Sequence, residues 1–147
     1  MKAPPCTAQD LLNALAFRHS LDIFVTECKN GPTQWGTHRR LDAWAMLRTW
    51  SPITMIGYEI KVNRSDWLQD RKIVEYLPLC HKLYVVASVG VVEVEELPDD
   101  IGLIELVGHS LITRHKATFR KILLPGELMV YVLMCRTKIT RDVHGTG

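Results

Sequence analysis

Residues 82–89 read KLYVVASV, and this run restricts the fold more than any other stretch. A strand with one wetted face alternates apolar and polar side chains, and this one has no polar face. Such strands belong inside a sheet covered on both sides, where a crossover helix returns the chain in parallel. The preceding residues supply that crossover. Asn63 or Ser65 caps a helix running to about Leu79, with Trp67, Ile73, Val74 and Leu77 as its inner stripe. Gln69, Lys72 and Tyr76 share another side of it at helical spacing.

Upstream, Thr7 caps a helix to His19 that carries Leu11, Leu12 and Leu15. Three strands follow: Asp22 to Lys29, Arg40 to Arg48, and Ile53 to Val62. Asn30-Gly31-Pro32 and Ser51-Pro52 supply the turn chemistry between them. Downstream lie a short strand at 102–107 and a helix opening near Pro125-Gly126. The order helix, three-strand meander, helix, strand predicts an α/β fold: a mixed β-sheet with helices on its faces. At 147 residues the expectation is one domain, 1–147, with a core at about 7–107 and a basic extension over 108–147.

Composition excludes several classes. With 47% hydrophobic and 23% charged residues the chain has the balance of a globular protein rather than a disordered one. The longest apolar run, Leu83 to Val92, is broken by Ser88 and is far shorter than a membrane span. Cys6, Cys28, Cys80 and Cys135 are dispersed, and the six histidines form no metal-binding pair. Zinc, an iron–sulfur cluster and a disulfide framework are therefore not expected, and a reduced, cytoplasmic setting is. Charge is unevenly spread. Glu93 to Glu105 holds six acids and no base, whereas His109 to Arg141 holds seven lysines and arginines against Glu127 alone. The basic segment, Arg120 and Lys121 included, is either a track for a phosphate backbone or a solvated face. Trp35, in a glycine-flanked loop, either stacks on a base or packs against the fold.

The third strand ends GYEIKVNRSDW, with Glu59 and Lys61 on one face and Ile60 on the other. A hairpin centred between Trp50 and Ser51 sets Asp42 opposite Glu59. One centred between Gln34 and Trp35 sets Glu27 opposite Asp42. Three carboxylates then form a row across the sheet, with Lys61 beside it. Like charges directly opposite destabilise a sheet, so the row asks for a raised pKa, a cation or a metal. Hard carboxylate oxygens suit Mg²⁺ or Mn²⁺, which pair naturally with a phosphate. The Ile60 backbone carbonyl is a further ligand on this reading. Lys61 either helps deprotonate an attacking water or neutralises charge developing on the phosphate.

The pattern LD (41–42), EIK (59–61), helix and buried strand resembles the PD-(D/E)XK nuclease core, with Leu41 in place of proline. RRLD at 39–42, SDW at 65–67, DRK at 70–72, Tyr76, Cys80, LYVV at 83–86 and LPDDIGLI at 97–104 together resemble the bacterial MmcB-like DNA-repair family. His81 departs from that pattern, which leads one to expect an acid there. The resemblance implies an αβββαβ, restriction-endonuclease-like core and Mg²⁺-dependent phosphodiester hydrolysis in DNA repair. It implies Asp42 and Glu59 as metal ligands, Glu27 as an auxiliary ligand and Lys61 as the catalytic lysine. Lys72 and Tyr76 match helix residues that support such sites. Arg40 is either a contact to DNA phosphate or a partner of the acids. DNA is the expected partner, with a homodimer or a repair-complex protein as possible company. The competing expectation is a non-catalytic DNA-binding or scaffold protein that keeps this fold and acts through its basic C-terminal segment.

Overall fold

The computed structural model describes residues 6–29 and 40–137. The turn expected at 30–32, Trp35 and the last basic residues, Lys138 and Arg141, lie outside that range. Among the described residues, six strands form one mixed sheet whose spatial order follows the chain: β1 (Ile23–Lys29), β2 (Arg40–Met46), β3 (Met55–Lys61), β4 (Lys82–Ser88), β5 (Gly102–Val107) and β6 (Ser110–His115). The β1–β2, β2–β3 and β5–β6 pairs are antiparallel, while β3–β4 and β4–β5 are parallel.

The all-apolar strand occupies the interior position its composition demands. Leu83, Val85 and Ala87 of β4 face one core cluster, and Tyr84 and Val86 face the other. The first cluster is closed by Trp67 of α2 (Arg64–Gln69), by Ile73 and Leu79 of a 3-10 helix (Ile73–Leu79), and by Leu128 of α3 (Gly126–Tyr131). The second is closed by Leu11 and Leu15 of α1 (Ala8–Arg18). Thr7 and Asp10 cap α1 reciprocally, each side chain accepting a hydrogen bond from the other's backbone N–H.

Two expectations need correcting. The crossover is not one helix to Leu79. Asn63, rather than Ser65, caps α2 by accepting a hydrogen bond from Asp66 N–H, and the chain then leaves helical geometry at Asp70 (φ −74°, ψ 117°). It resumes as the 3-10 helix, which contains Pro78; a proline there removes an amide donor and strains an α-helical turn. Trp44 Nε1 donates to the Leu79 carbonyl at 3.3 Å and ties this second piece to the sheet. The break dissolves the common face expected for Gln69, Lys72 and Tyr76. The second correction is β6, which sequence patterning leaves unassigned. It pairs with β5 through a turn at Gly108, whose φ of +62° suits a residue without a Cβ.

Candidate active site

β2 and β3 keep the register set by their turn: Met46 faces Met55, Trp44 faces Gly57 and Ala43 faces Tyr58. The next pair in that series is Asp42 with Glu59, and there the backbone ladder stops. Each carboxylate instead takes a backbone amide of the facing strand. Asp42 N–H donates to Glu59 Oε1 at 3.2 Å, and Ile60 N–H donates to Asp42 Oδ2 at 2.8 Å. A strand residue sends its N–H and C=O to the same side, so the Ile60 carbonyl projects into the gap between β2 and β3. Two acids and a carbonyl therefore converge where the sheet opens.

Burial sets the electrostatics. Glu59 is 5% exposed. Loss of solvent, and then the charge of Asp42, pushes its carboxyl up to about 8. Asp42 is also raised, chiefly by desolvation, against the opposing pull of the Ile60 amide, Lys61 and the Glu59 hydrogen bond. Both shifts run the same way, because two neighbouring carboxyls withdrawn from water disfavour each other's ionised form.

β1 follows the expected register on either side of Glu27: Thr26 faces Ala43 and Cys28 faces Leu41. Glu27 itself has a φ of +50° and its side chain is exposed. That conformation interrupts the ladder at the residue meant to complete the row. Among the described residues no three acidic, histidine or cysteine side chains gather in an arrangement suited to a metal. The expected row of three is therefore not continuous at Glu27, and the contacts across the gap are those of Asp42 and Glu59.

Lys61 lies two residues beyond Glu59 on β3. Its Nζ stands 2.8 Å from Asp70 Oδ2, with the lysine side chain 12% and the aspartate side chain 7% exposed. Asp70 is a site residue that spacing arguments miss. Nothing in the pattern of the strand announces a partner nine positions later, and only the break after α2 brings it back.

The remaining expected residues divide. Arg40 is exposed at the start of β2, and its charge favours ionised Asp42. Lys29 faces it directly across β1, a second basic group that the sequence reading did not single out. Lys72 is exposed beside the site, its backbone N–H donating to Asp70 Oδ1 at 2.7 Å. Tyr76 packs against the main core cluster. Lys121 is exposed. Arg120 is turned inward: its Nη2 donates to the carbonyls of Leu77, at 2.8 Å, and Cys80, at 3.0 Å. It closes the end of the 3-10 helix, a role other than the phosphate contact expected of it. Arg114 likewise pairs with Glu105, and Arg136 donates to the Thr26 carbonyl. Three arginines of the basic segment therefore meet the protein's own acceptors.

His81, the departure from the resembled pattern, is structural as well. Its Nδ1 accepts from Met55 N–H at 2.9 Å, and burial with nearby Arg120 lowers its pKa, keeping the acceptor form.

No family model matches the chain, and no curated protein does. A solved structure, the SPO1766 protein of unknown function from Silicibacter pomeroyi, is similar with a TM-score of 0.66 at 20% identity, over 90% of this chain and 84% of that one. At that identity the likeness shows a shared α/β fold.

Proposed function

We propose that the protein is a divalent-metal-dependent nuclease of the PD-(D/E)XK kind, similar to MmcB-like repair proteins, which hydrolyses phosphodiester bonds in DNA. The observation that supports the reading is the Asp42–Glu59 pair: a buried and a half-buried carboxyl side by side at a break in the ladder, with a lysine two residues on. A pair held protonated by mutual repulsion and dryness is one that a cation relieves. Each carboxylate gives one oxygen to a backbone amide, which leaves Asp42 Oδ1, Glu59 Oε2 and the Ile60 carbonyl as hard donors. That set fits Mg²⁺ or Mn²⁺, which take one or two carboxylates and complete their shell with water and phosphate. Such an ion supplies Lewis acidity toward water and phosphate when bound.

The chain's own residues account for the rest. Asp42 and Glu59 would hold the ion, and their contacts to the facing strand's amides take the place of the backbone ladder there. Lys61 places positive charge beside them, either to orient and help deprotonate water or to offset charge developing on phosphate. Lys29 and Arg40, like charges directly opposite each other on an antiparallel pair, destabilise the hairpin end by themselves. A DNA phosphate between them removes that cost.

Two grooves lie elsewhere and suit this chemistry poorly. One of about 450 Å³, lined by Met46, Trp50, Ile53 and Met129, is apolar and sits at the opposite end of β2 and β3. The other, of about 900 Å³, is lined by Asp10, Asn13, Ser88 and His109 beside α1.

The test is titration of Mg²⁺ or Mn²⁺ against labelled single-stranded, duplex and branched DNA. Cleavage is expected to require the metal and to disappear in Asp42→Asn and Lys61→Ala variants that keep their circular dichroism. Binding without cleavage of any substrate, lost on neutralising Lys121, would favour the non-catalytic binding protein instead.

A further inference from the structure

We infer that Asp70 fixes the ammonium of Lys61 in the site, making it a positioning residue for the reaction; the catalytic half of this inference rests on the nuclease reading above. A lysine at the end of a strand has four rotatable bonds and a large rotamer entropy. Lys61 is nevertheless held, its Nζ 2.8 Å from Asp70 Oδ2 with both side chains largely out of solvent. Asp70 is itself anchored twice. Its Oδ1 accepts from Lys72 N–H at 2.7 Å, and its own N–H donates to the Trp67 carbonyl at 3.1 Å.

The helix that carries it is pinned in turn. Asn63 caps α2 and Trp67 buries its inner face. Arg64 donates to the Val91 carbonyl and, in a forked pair, to Glu96. The departure from helical geometry at Asp70 thereby acquires a reason. It turns the carboxylate back toward β3, where an unbroken helix would carry residue 70 onward around its axis. The Lys61 head is thus set from outside its own strand, through a chain of contacts that ends in the core.

Reductive methylation of the metal-free protein, read by peptide mass spectrometry, reports the placement of Lys61 without any turnover. Exposed Lys116 and Lys121, away from the 70–72 turn, serve as internal standards. In Asp70→Asn, which preserves size and removes the charge, Lys61 is modified several-fold faster than in the wild type. Under cleavage conditions kcat falls on the order of 10²-fold, as expected when a reacting group is misplaced, while KM is unchanged. Asp70→Glu restores the charge and recovers part of both effects.

If Asp70 serves only the turn at 70–72, Asp70→Asn lowers Tm but leaves Lys61 labelling and kcat at wild-type values. Unchanged labelling, or faster labelling with unaltered kcat, overturns the inference. A wild type that cleaves nothing removes the nuclease reading, while the labelling ratio still decides whether Asp70 holds Lys61.

Discussion

Glu59 is the residue on which the site's character turns. Its carboxyl is raised from 4.5 to about 8, first by desolvation and then by Asp42. A carboxyl raised in the folded state binds more protons folded than unfolded between those two values. Stability therefore falls as pH rises through that window, and the full penalty is in place above it. Glu59→Gln removes the titrating group while keeping an oxygen acceptor for Asp42 N–H. Thermal and denaturant melts in metal-free buffer should show the variant equal to wild type near pH ~4 and more stable at pH ~9, by on the order of 1–3 kcal/mol. A wild type as stable as the variant at the alkaline end would mean that the burial penalty is met some other way. The facing of Asp42 and Glu59 was legible in the sequence because a short hairpin fixes its register. Asp70 was not, because its meeting with Lys61 depends on where a helix stops. Arg120 misled for a different reason: an arginine that satisfies two backbone carbonyls looks, in sequence, like one that faces solvent.

At the level of elements, the opening between β2 and β3 and the interruption of β1 occur at the same level of the sheet. Glu27 takes a left-handed backbone that side chains with a Cβ adopt at a cost of roughly 1–2 kcal/mol. Strain of this kind persists where surrounding structure over-determines it, often beside functional sites. Glycine relieves it and a β-branched residue worsens it. Glu27→Val should therefore destabilise the protein by about 1–2 kcal/mol relative to Glu27→Gly, measured by urea denaturation. Equal stabilities would show that the left-handed turn is not held in solution. The three-strand meander β1–β2–β3 and the burial of β4 were legible from hydrophobic patterning and turn residues. The edge strand β6 was not: only Leu111 and His115 along it are even partly buried, so its alternation carries little signal. The split crossover was equally hidden, since Trp67 and Ile73 satisfy the inner stripe whether or not the helix is continuous.

For the molecule as a whole, the two halves of the chain have different tasks. The sheet and its crossover, from β1 to β5, bring Asp42, Glu59, Lys61 and Asp70 together at one end of β3. The segment after β6 returns across the fold and spends Arg120 and Arg136 on carbonyls of the 3-10 helix and β1. Among the described residues, three arginines of the basic segment meet the protein's own acceptors while Lys116 and Lys121 are exposed, and Lys29, Arg40 and Lys72 lie near the carboxylates. The proposed site turns on Glu59, whose raised carboxyl keeps a proton where a divalent ion would sit beside Asp42. Calorimetric titration of Mn²⁺ near pH ~7, in two buffers of different ionisation enthalpy, measures this directly, because metal uptake by a protonated carboxyl pair must expel the proton. A single ion bound per chain with proton release, both abolished in Glu59→Gln, is the expected result. Absence of binding, or binding that releases no proton and survives Glu59→Gln, would contradict it.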